Sequence, residues 1–157
     1  MCQSTDYDLD EEFLVDEPPY RGRARFVPDP YVRLAAARRE HLDAALQRVL
    51  AAGRTPRVCL YSPPHLADRA QAYAVERHWQ VVGHYTDPDG IPDPQARPGW
   101  SGLRMHLAAG YADGALAYSP AAISPAAAVY ERQLTWFHAR GLFVALVTPA
   151  REPGRCR

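Results

Sequence analysis

Residues 57–85 read RVCLYSPPHLADRAQAYAVERHWQVVGHY, and this stretch decides the fold class. Residues 57–61 are a short apolar run that ends at a pair of prolines, which is the pattern of a buried strand. Residues 66–77 place alanine and tyrosine on one side at helical spacing, and residues 79–85 form a second apolar run. A strand, a helix and a second strand in direct succession predict a βαβ unit, and therefore a parallel sheet with a right-handed crossover.

The same alternation continues along the chain. Helical spacing recurs over residues 99–109 and over residues 125–140, each followed by a glycine that suits a helix C-terminus. Apolar runs predict a third, weaker strand over residues 113–118 and a fourth over residues 142–147. This pattern is typical of an α/β domain. We expect a mostly parallel sheet of four to five strands, flanked by helices, over residues 57–149.

An amphipathic helix precedes the α/β domain. Leu42, Leu46 and Val49 recur at steps of three and four residues within residues 31–53, with arginines between them. The segment opens after an Asp-Pro pair and closes on a glycine, which are helix start and stop signals. Because an isolated helix needs tertiary packing, we expect its apolar face to dock on the domain rather than on a second copy.

The termini differ from the domain in charge. Seven of the 18 acidic residues fall in the first 17 positions, which hold no basic residue. We therefore expect residues 1–30 to be a flexible, acidic, proline-rich tail, and residues 150–157 to be a short disordered tail. The formal net charge of the whole chain is zero, but residues 18–157 alone hold 18 arginines and 11 acidic residues. Every basic residue is arginine, which together with frequent alanine and proline is typical of a high-GC bacterial genome.

Two short motifs in the N-terminal tail are candidates for binding. They are an apolar cluster among the acids and a basic patch after them: Phe13, Leu14 and Val15, and Arg21, Arg23 and Arg25. The apolar cluster suits either a solvated tail or a motif that folds onto a partner or onto this protein's own basic surface. The basic patch suits either nucleic-acid phosphate or the acidic residues of the same chain. The sequence leaves these alternatives open.

Several classes of protein are excluded. No apolar run approaches the length of a transmembrane helix, and the N-terminus is acidic where a signal peptide would be basic, so we expect a cytoplasmic protein without membrane contact. Cys2, Cys59 and Cys156 are too few and too far apart for a disulfide framework or a zinc site. The histidines lack the spacing of metal ligands on a helix, and no phosphate-binding glycine loop occurs. We expect no metal and no small-molecule cofactor.

Several segments, in order, resemble the catalytic domain of the serine recombinases, the resolvase and invertase family. The resemblance begins with the first strand (residues 57–61) and the first helix with the second strand (residues 72–85). It continues with an acidic Gly-Ile loop (residues 87–91) and an Arg-Pro-Gly turn (residues 97–100). The next helix and strand (residues 103–110 and 113–118) and the final helix-to-strand step (residues 140–144) complete it. It implies a resolvase-like α/β fold over residues 57–149. In that family a serine nucleophile performs phosphoryl transfer, and a cluster of arginines stabilises the pentacoordinate phosphate.

The residues that would carry that chemistry are mostly replaced. After the first-strand tyrosine the family reads residue, arginine, residue, serine, and this chain places Pro63 at the arginine and His65 at the serine. Ser62 lies three residues early, and neighbours on a strand point to opposite faces, so it is a poor substitute. We expect His65 to be a loop histidine that caps the following helix. The family's Asp-Arg signature after the third strand is missing from residues 119–125.

The sequence therefore predicts a recombinase-like fold without recombinase activity, and no catalytic residue is assigned. Arg97 stands where an active-site arginine is expected, and with Tyr61, His65 and Arg69 it defines a remnant site for an anion or ligand. We expect a non-catalytic protein-interaction or regulatory domain that forms a homodimer or binds a protein partner. The alternatives are a DNA-associated accessory factor with an arginine-rich binding surface, and an enzyme with altered phosphoryl-transfer chemistry.

Overall fold

The computed structural model describes residues 30–149. The helices are α1 (Pro30–Ala51), α2 (Ala67–Glu76), α3 (Pro98–Ala108), α4 (Pro120–Ile123) and α5 (Ala127–His138). The strands are β1 (Arg57–Tyr61), β2 (Gln80–Tyr85), β3 (Gly114–Ala117) and β4 (Phe143–Leu146), and two 3-10 turns span Pro64–Leu66 and Pro94–Ala96. The predicted tails, with the Phe13–Val15 cluster, the Arg21–Arg25 patch and residues 150–157, lie outside the described residues.

The four strands form one parallel sheet in the order β2-β1-β3-β4, which confirms the predicted fold class. β1 lies in the centre, where Val58 pairs with Val81 of β2 and with Gly114 of β3. Every residue of β3 and β4 is buried, as expected for parallel strands that are covered on both faces. The carboxyl ends of all four strands therefore meet at one edge of the sheet.

Alternate residues of the strands build two separate cores. On one face Cys59, Ala115 and Val144 pack against α3 and α5, whose largest buried side chains are Trp100 and Tyr130. On the other face the remaining strand residues pack against α2 and the C-terminal half of α1: Val58, Leu60, Leu116, Phe143 and Ala145. This division arises because successive side chains of a strand point to opposite faces of the sheet.

Helix α1 docks on the domain with the predicted face. Leu34, Arg38, Ala45 and Val49 are buried, and Leu42 and Leu46 are partly buried against the core on the α2 side. Arg38 is 4% exposed, and its Nη1 donates to Val144 O (3.3 Å) on the outer edge of β4. A buried arginine on this face was not predicted, because spacing alone does not reveal that an edge strand needs hydrogen-bond donors.

The region between β3 and α5 also differs from prediction. The predicted helix over 125–140 begins at Ala127, and a separate short helix, α4, precedes it. Ser119 caps α4 by accepting a hydrogen bond from Ala122 N (3.2 Å), and Pro120 takes the first helical position. None of the helices in the described part of the chain is long and apolar enough to cross a membrane.

Candidate functional site

A cavity of about 460 Å³ opens beside the carboxyl end of β1. It lies between the residues that follow β1, the loop that follows β2, and helix α4. The residues that determine its chemistry are Tyr61, Ser62, Asp87, Asp89 and Arg97. In open parallel sheets this edge is the usual place for a ligand site, so the cavity is the first candidate for function.

Asp87 closes the inner wall of this cavity by capping helix α3. Its Oδ1 accepts from Gly99 N (2.7 Å), and its Oδ2 accepts from Trp100 N (2.8 Å) and from Tyr61 Oη (2.9 Å). A Cβ on Gly99 would lie 2.3 Å from Thr86 O, so only glycine permits this close approach. The N-terminus of a helix is a favourable place for an anion, and here a carboxylate of the same chain already occupies it.

Arg97 is the cation nearest to the cavity, and most of its donors are engaged. Nε donates to Ile91 O (2.7 Å), and Nη1 donates to Ala122 O and Ile123 O (2.8 Å each). The residue is only 8% exposed. Arg97 therefore connects the loop after β2 to the end of α4, and its geometry is that of a structural cross-link between two backbone segments.

Solved structures with the same arrangement of elements are serine recombinase catalytic domains. The C-terminal catalytic domain of ISC1926 TnpA, an IS607-like serine recombinase, superposes with a TM-score of 0.52 at 16% identity, covering 60% of this chain and 72% of that one. The N-terminal catalytic domain of TP901-1 integrase gives 0.53 at 19% identity, covering 58% and 76%. The chain has a serine recombinase catalytic-domain fold. No protein-family model and no curated protein sequence matches it.

Within this recombinase fold, the predicted remnant site divides into two parts. Tyr61 and Arg97 both line the cavity, with Arg97 Nη1 3.5 Å from Tyr61 Oη. His65 is exposed in the 3-10 turn, and no side-chain hydrogen bond caps the turn or the following helix, so the predicted capping role is wrong. Arg69 donates to Tyr118 Oη (3.3 Å) and does not line the cavity. His65 in the turn and Arg69 in α2 are therefore not part of the cavity lining.

Tyr61 is a neutral hydrogen-bond donor in this wall. Burial, with the hydrogen bond to Asp87 as a smaller cause, raises the pKa of Tyr61 to about 12. Its ring contacts Trp100 edge-on, with ring centroids 4.9 Å apart. The side chain is therefore fixed by packing on one side and by Asp87 on the other, and at neutral pH it supplies no anion for nucleophilic attack.

Ser62 is the hydroxyl nearest to the position of a nucleophile. It is 2% exposed, and its Oγ lies 3.1 Å from His84 Nε2 on β2. Leu60 and Tyr61 lie in different cores, and Ser62, directly after them, lines the cavity together with Tyr61. The pairing with His84 was not predicted, because it depends on the register between β1 and β2. This contact gives the buried Ser62 hydroxyl a hydrogen-bond partner at the edge of the sheet.

The charged side chains that line the cavity are two aspartates and one arginine. The carboxylates of Asp87 and Asp89 line it, and the donors that phosphate would need, on Arg97 and at the start of α3, are engaged within the chain. Among residues 30–149, no group of three or more histidine, cysteine, aspartate or glutamate side chains is placed to hold a metal ion. Among the described residues that line the cavity, Arg97 is the one cation.

A second region of interest is the outer surface of α3. Met105 is 74% exposed and Tyr111 is 63% exposed, although both are large apolar residues. Met105 separates two shallow grooves, one that reaches Tyr85 and Tyr111 and another that reaches Trp136 of α5. Met105 and Tyr111 both line the first of these grooves, so two exposed apolar side chains lie close together on this surface. The exposure of Met105 was not predicted, because the residue type alone does not separate an exposed methionine from a buried one.

Proposed function

We propose that this chain is a recombinase-fold domain that works by binding and not by catalysis, as a cytoplasmic protein-interaction or regulatory domain that self-associates. The observation that carries the proposal is the engagement of Arg97. Its Nε and Nη1 donate to the backbone carbonyls of Ile91, Ala122 and Ile123, so most of its donors are not free to stabilise a phosphate transition state. The replacements at Pro63 and His65 and the buried Ser62 support the same conclusion.

The surface of α3 supports a role in self-association. Met105 and Tyr111 are the two large exposed apolar residues that lie close together there, and shallow grooves flank Met105 on both sides. A twofold contact between two such surfaces would bury both methionines, since a symmetric dimer presents the same patch twice. Methionine suits such a contact because its side chain is flexible and polarizable.

The experiment compares the full-length chain with two variants by sedimentation velocity. Wild type is expected to show a concentration-dependent monomer–dimer equilibrium. Met105→Glu is expected to shift it at least tenfold towards monomer, because it places a charge in the contact. Leu50→Glu, which changes an equally large exposed residue on α1, should leave the equilibrium unchanged. A wild-type chain that is monomeric at all concentrations at both low and high salt, or equal effects of both variants, would contradict self-association through α3.

Incubation of the same chain with duplex DNA tests catalysis and the second candidate function, DNA association. We expect no covalent protein–DNA adduct and no strand cleavage, and either product would overturn the non-catalytic assignment. DNA association is favoured by the excess of arginine, with 12 arginines against 9 acidic residues over residues 30–149. If that function holds, deletion of residues 1–17 will tighten DNA binding at low salt, with steep salt dependence. If neither the full-length chain nor the deletion variant binds DNA, the DNA-association function is excluded.

A further inference from the structure

A groove of about 260 Å³ between α3 and α5 combines apolar and cationic groups. Ser101, Arg104, Met105, Ala108 and Trp136 line it. The guanidinium carbons of Arg104 and Arg140 lie 4.3 and 4.2 Å from the centroid of the Trp136 ring. Both arginines therefore stack on one indole, which fixes two positive charges at the rim of an apolar depression.

These two charges have no acidic partner nearby within the described residues. Helix α3 contains no acidic residue, and the single acid of α5, Glu131, pairs with Arg33 (3.3 Å). Arg104 Nε is buried and has no hydrogen-bond partner among residues 30–149. Burial, and then the nearby charge of Arg140, lowers the pKa of Arg104. A surface with two adjacent uncompensated guanidinium groups favours an anionic ligand.

We propose that residues 6–17 of the same chain occupy this groove, with Phe13-Leu14-Val15 on Trp136 and Met105 and the flanking carboxylates on Arg104 and Arg140. The segment and the groove have complementary compositions. The segment carries seven acids around three consecutive apolar residues, and the groove carries two arginines around a tryptophan and an exposed methionine. Nucleic acid would satisfy the two charges, but its phosphates would leave Met105 without an apolar partner.

The chain is long enough to make this contact. Helix α1 begins at Pro30, and its Arg33 binds Glu131 of α5. Trp136 lies five residues further along α5, which corresponds to about 7.5 Å along the helix axis. The 13 residues from Glu17 to Pro30 span up to about 43 Å when extended. The segment can therefore cross the exposed side of α5 and reach the groove within one molecule.

The consequence is an autoinhibited domain. This part of the inference rests on the proposed function, because Met105 borders both this groove and the surface proposed for self-association. When residues 6–17 lie in the groove, they cover Met105 and disfavour the dimer. A partner that removes the segment, or high salt that screens the ion pairs, exposes the surface. The contact itself does not require that the protein self-associates.

Photo-crosslinking in the full-length chain tests the contact directly. Phe13 is replaced by p-benzoylphenylalanine, and equal amounts of isotopically heavy and light protein are mixed before irradiation. The expected result is a crosslink from position 13 to the α3 segment around Met105, or to Trp136, within one chain and without heavy–light products. Arg104→Ala with Arg140→Ala should lower its yield about three- to fivefold, as expected for the loss of exposed ion pairs.

Arg77→Ala is the matched control, because Arg77 also stacks on an aromatic ring, that of Tyr73 at 3.3 Å, but far from α3. It should leave the crosslink yield unchanged. Crosslinks to other surfaces, mixed heavy–light crosslinks, or an equal loss of yield in the Arg77 variant would each overturn the proposal. An intrachain crosslink at low salt in a protein that sediments only as a monomer even at high salt, where the segment is released, would support the contact while contradicting self-association, so the two proposals fail separately.

Discussion

At the scale of single residues, the role of an arginine depends on which acceptors surround it. Arg97 occupies the position that the family resemblance assigns to an active-site arginine, yet backbone carbonyls from two segments accept its hydrogen bonds. Asp87 acts in the same way at the start of α3, where it takes the place of a bound anion. Residue type and position alone therefore do not determine which groups these side chains bind.

Replacement of Arg97 by alanine is expected to lower the free energy of unfolding by about 2–4 kcal/mol, because it leaves buried carbonyls without donors. Arg69→Ala, which loses an exposed contact with Tyr118, should change it by less than about 0.5 kcal/mol. Urea unfolding measures both. If inorganic phosphate stabilises wild type but not the Arg97 variant, the guanidinium binds anions and the structural role is refuted.

At the scale of elements, α1 and α5 meet through a pair of histidines. The rings of His41 and His138 stack with centroids 3.7 Å apart, and His138 Nε2 is buried without a hydrogen-bond partner in the described residues. Burial, followed by the nearby His41 and Arg38, lowers the pKa of His138 from 6.5 to about 4. The folded protein therefore holds His138 neutral, and this contact between helices is sensitive to acid.

The stability of the folded state should fall as the pH drops from about 6.5 towards 4. Over that range His138 is protonated in the unfolded chain but stays neutral in the folded protein. Partial solvent access limits the loss to about 1–3 kcal/mol. Comparison of the unfolding free energies of wild type and His138→Phe at several pH values isolates this contribution. The variant should show a flatter profile, and His65→Gln, at an exposed site, should follow wild type. Parallel profiles for wild type and His138→Phe would exclude His138 as the cause.

At the scale of the whole molecule, α1 joins the two cores. Leu34 packs in the core that contains α3 and α5, and Ala45 packs in the core that contains α2. Between them Arg38 donates to Val144 O, and further along Arg48 donates to Gly141 O (3.0 Å). The helix therefore crosses the outer edge of β4 and covers backbone groups that would otherwise pair with another strand.

Because one helix contributes to both cores, we expect a single cooperative unfolding transition. Leu34→Ala should lower the free energy of unfolding by about 2–4 kcal/mol, the usual cost of truncating a buried leucine. Leu50→Ala on the same helix should have little effect, since Leu50 is 61% exposed. Circular dichroism and tryptophan fluorescence should report the same midpoint for each variant. Separate midpoints for the two signals in Leu34→Ala would show that the cores unfold independently.

The sequence by itself determined the order of the elements and the parallel sheet, because the apolar periods of strands and helices are local properties of the chain. The replacement of the family's nucleophile position by His65 could likewise be read directly from residues 61–65. Only the tertiary structure decided what Arg97, Ser62 and Arg38 do. Their partners lie 25, 22 and 106 residues away in the chain, on other elements. Hydrogen-bond partners across such separations depend on strand register and helix packing, which no local pattern encodes.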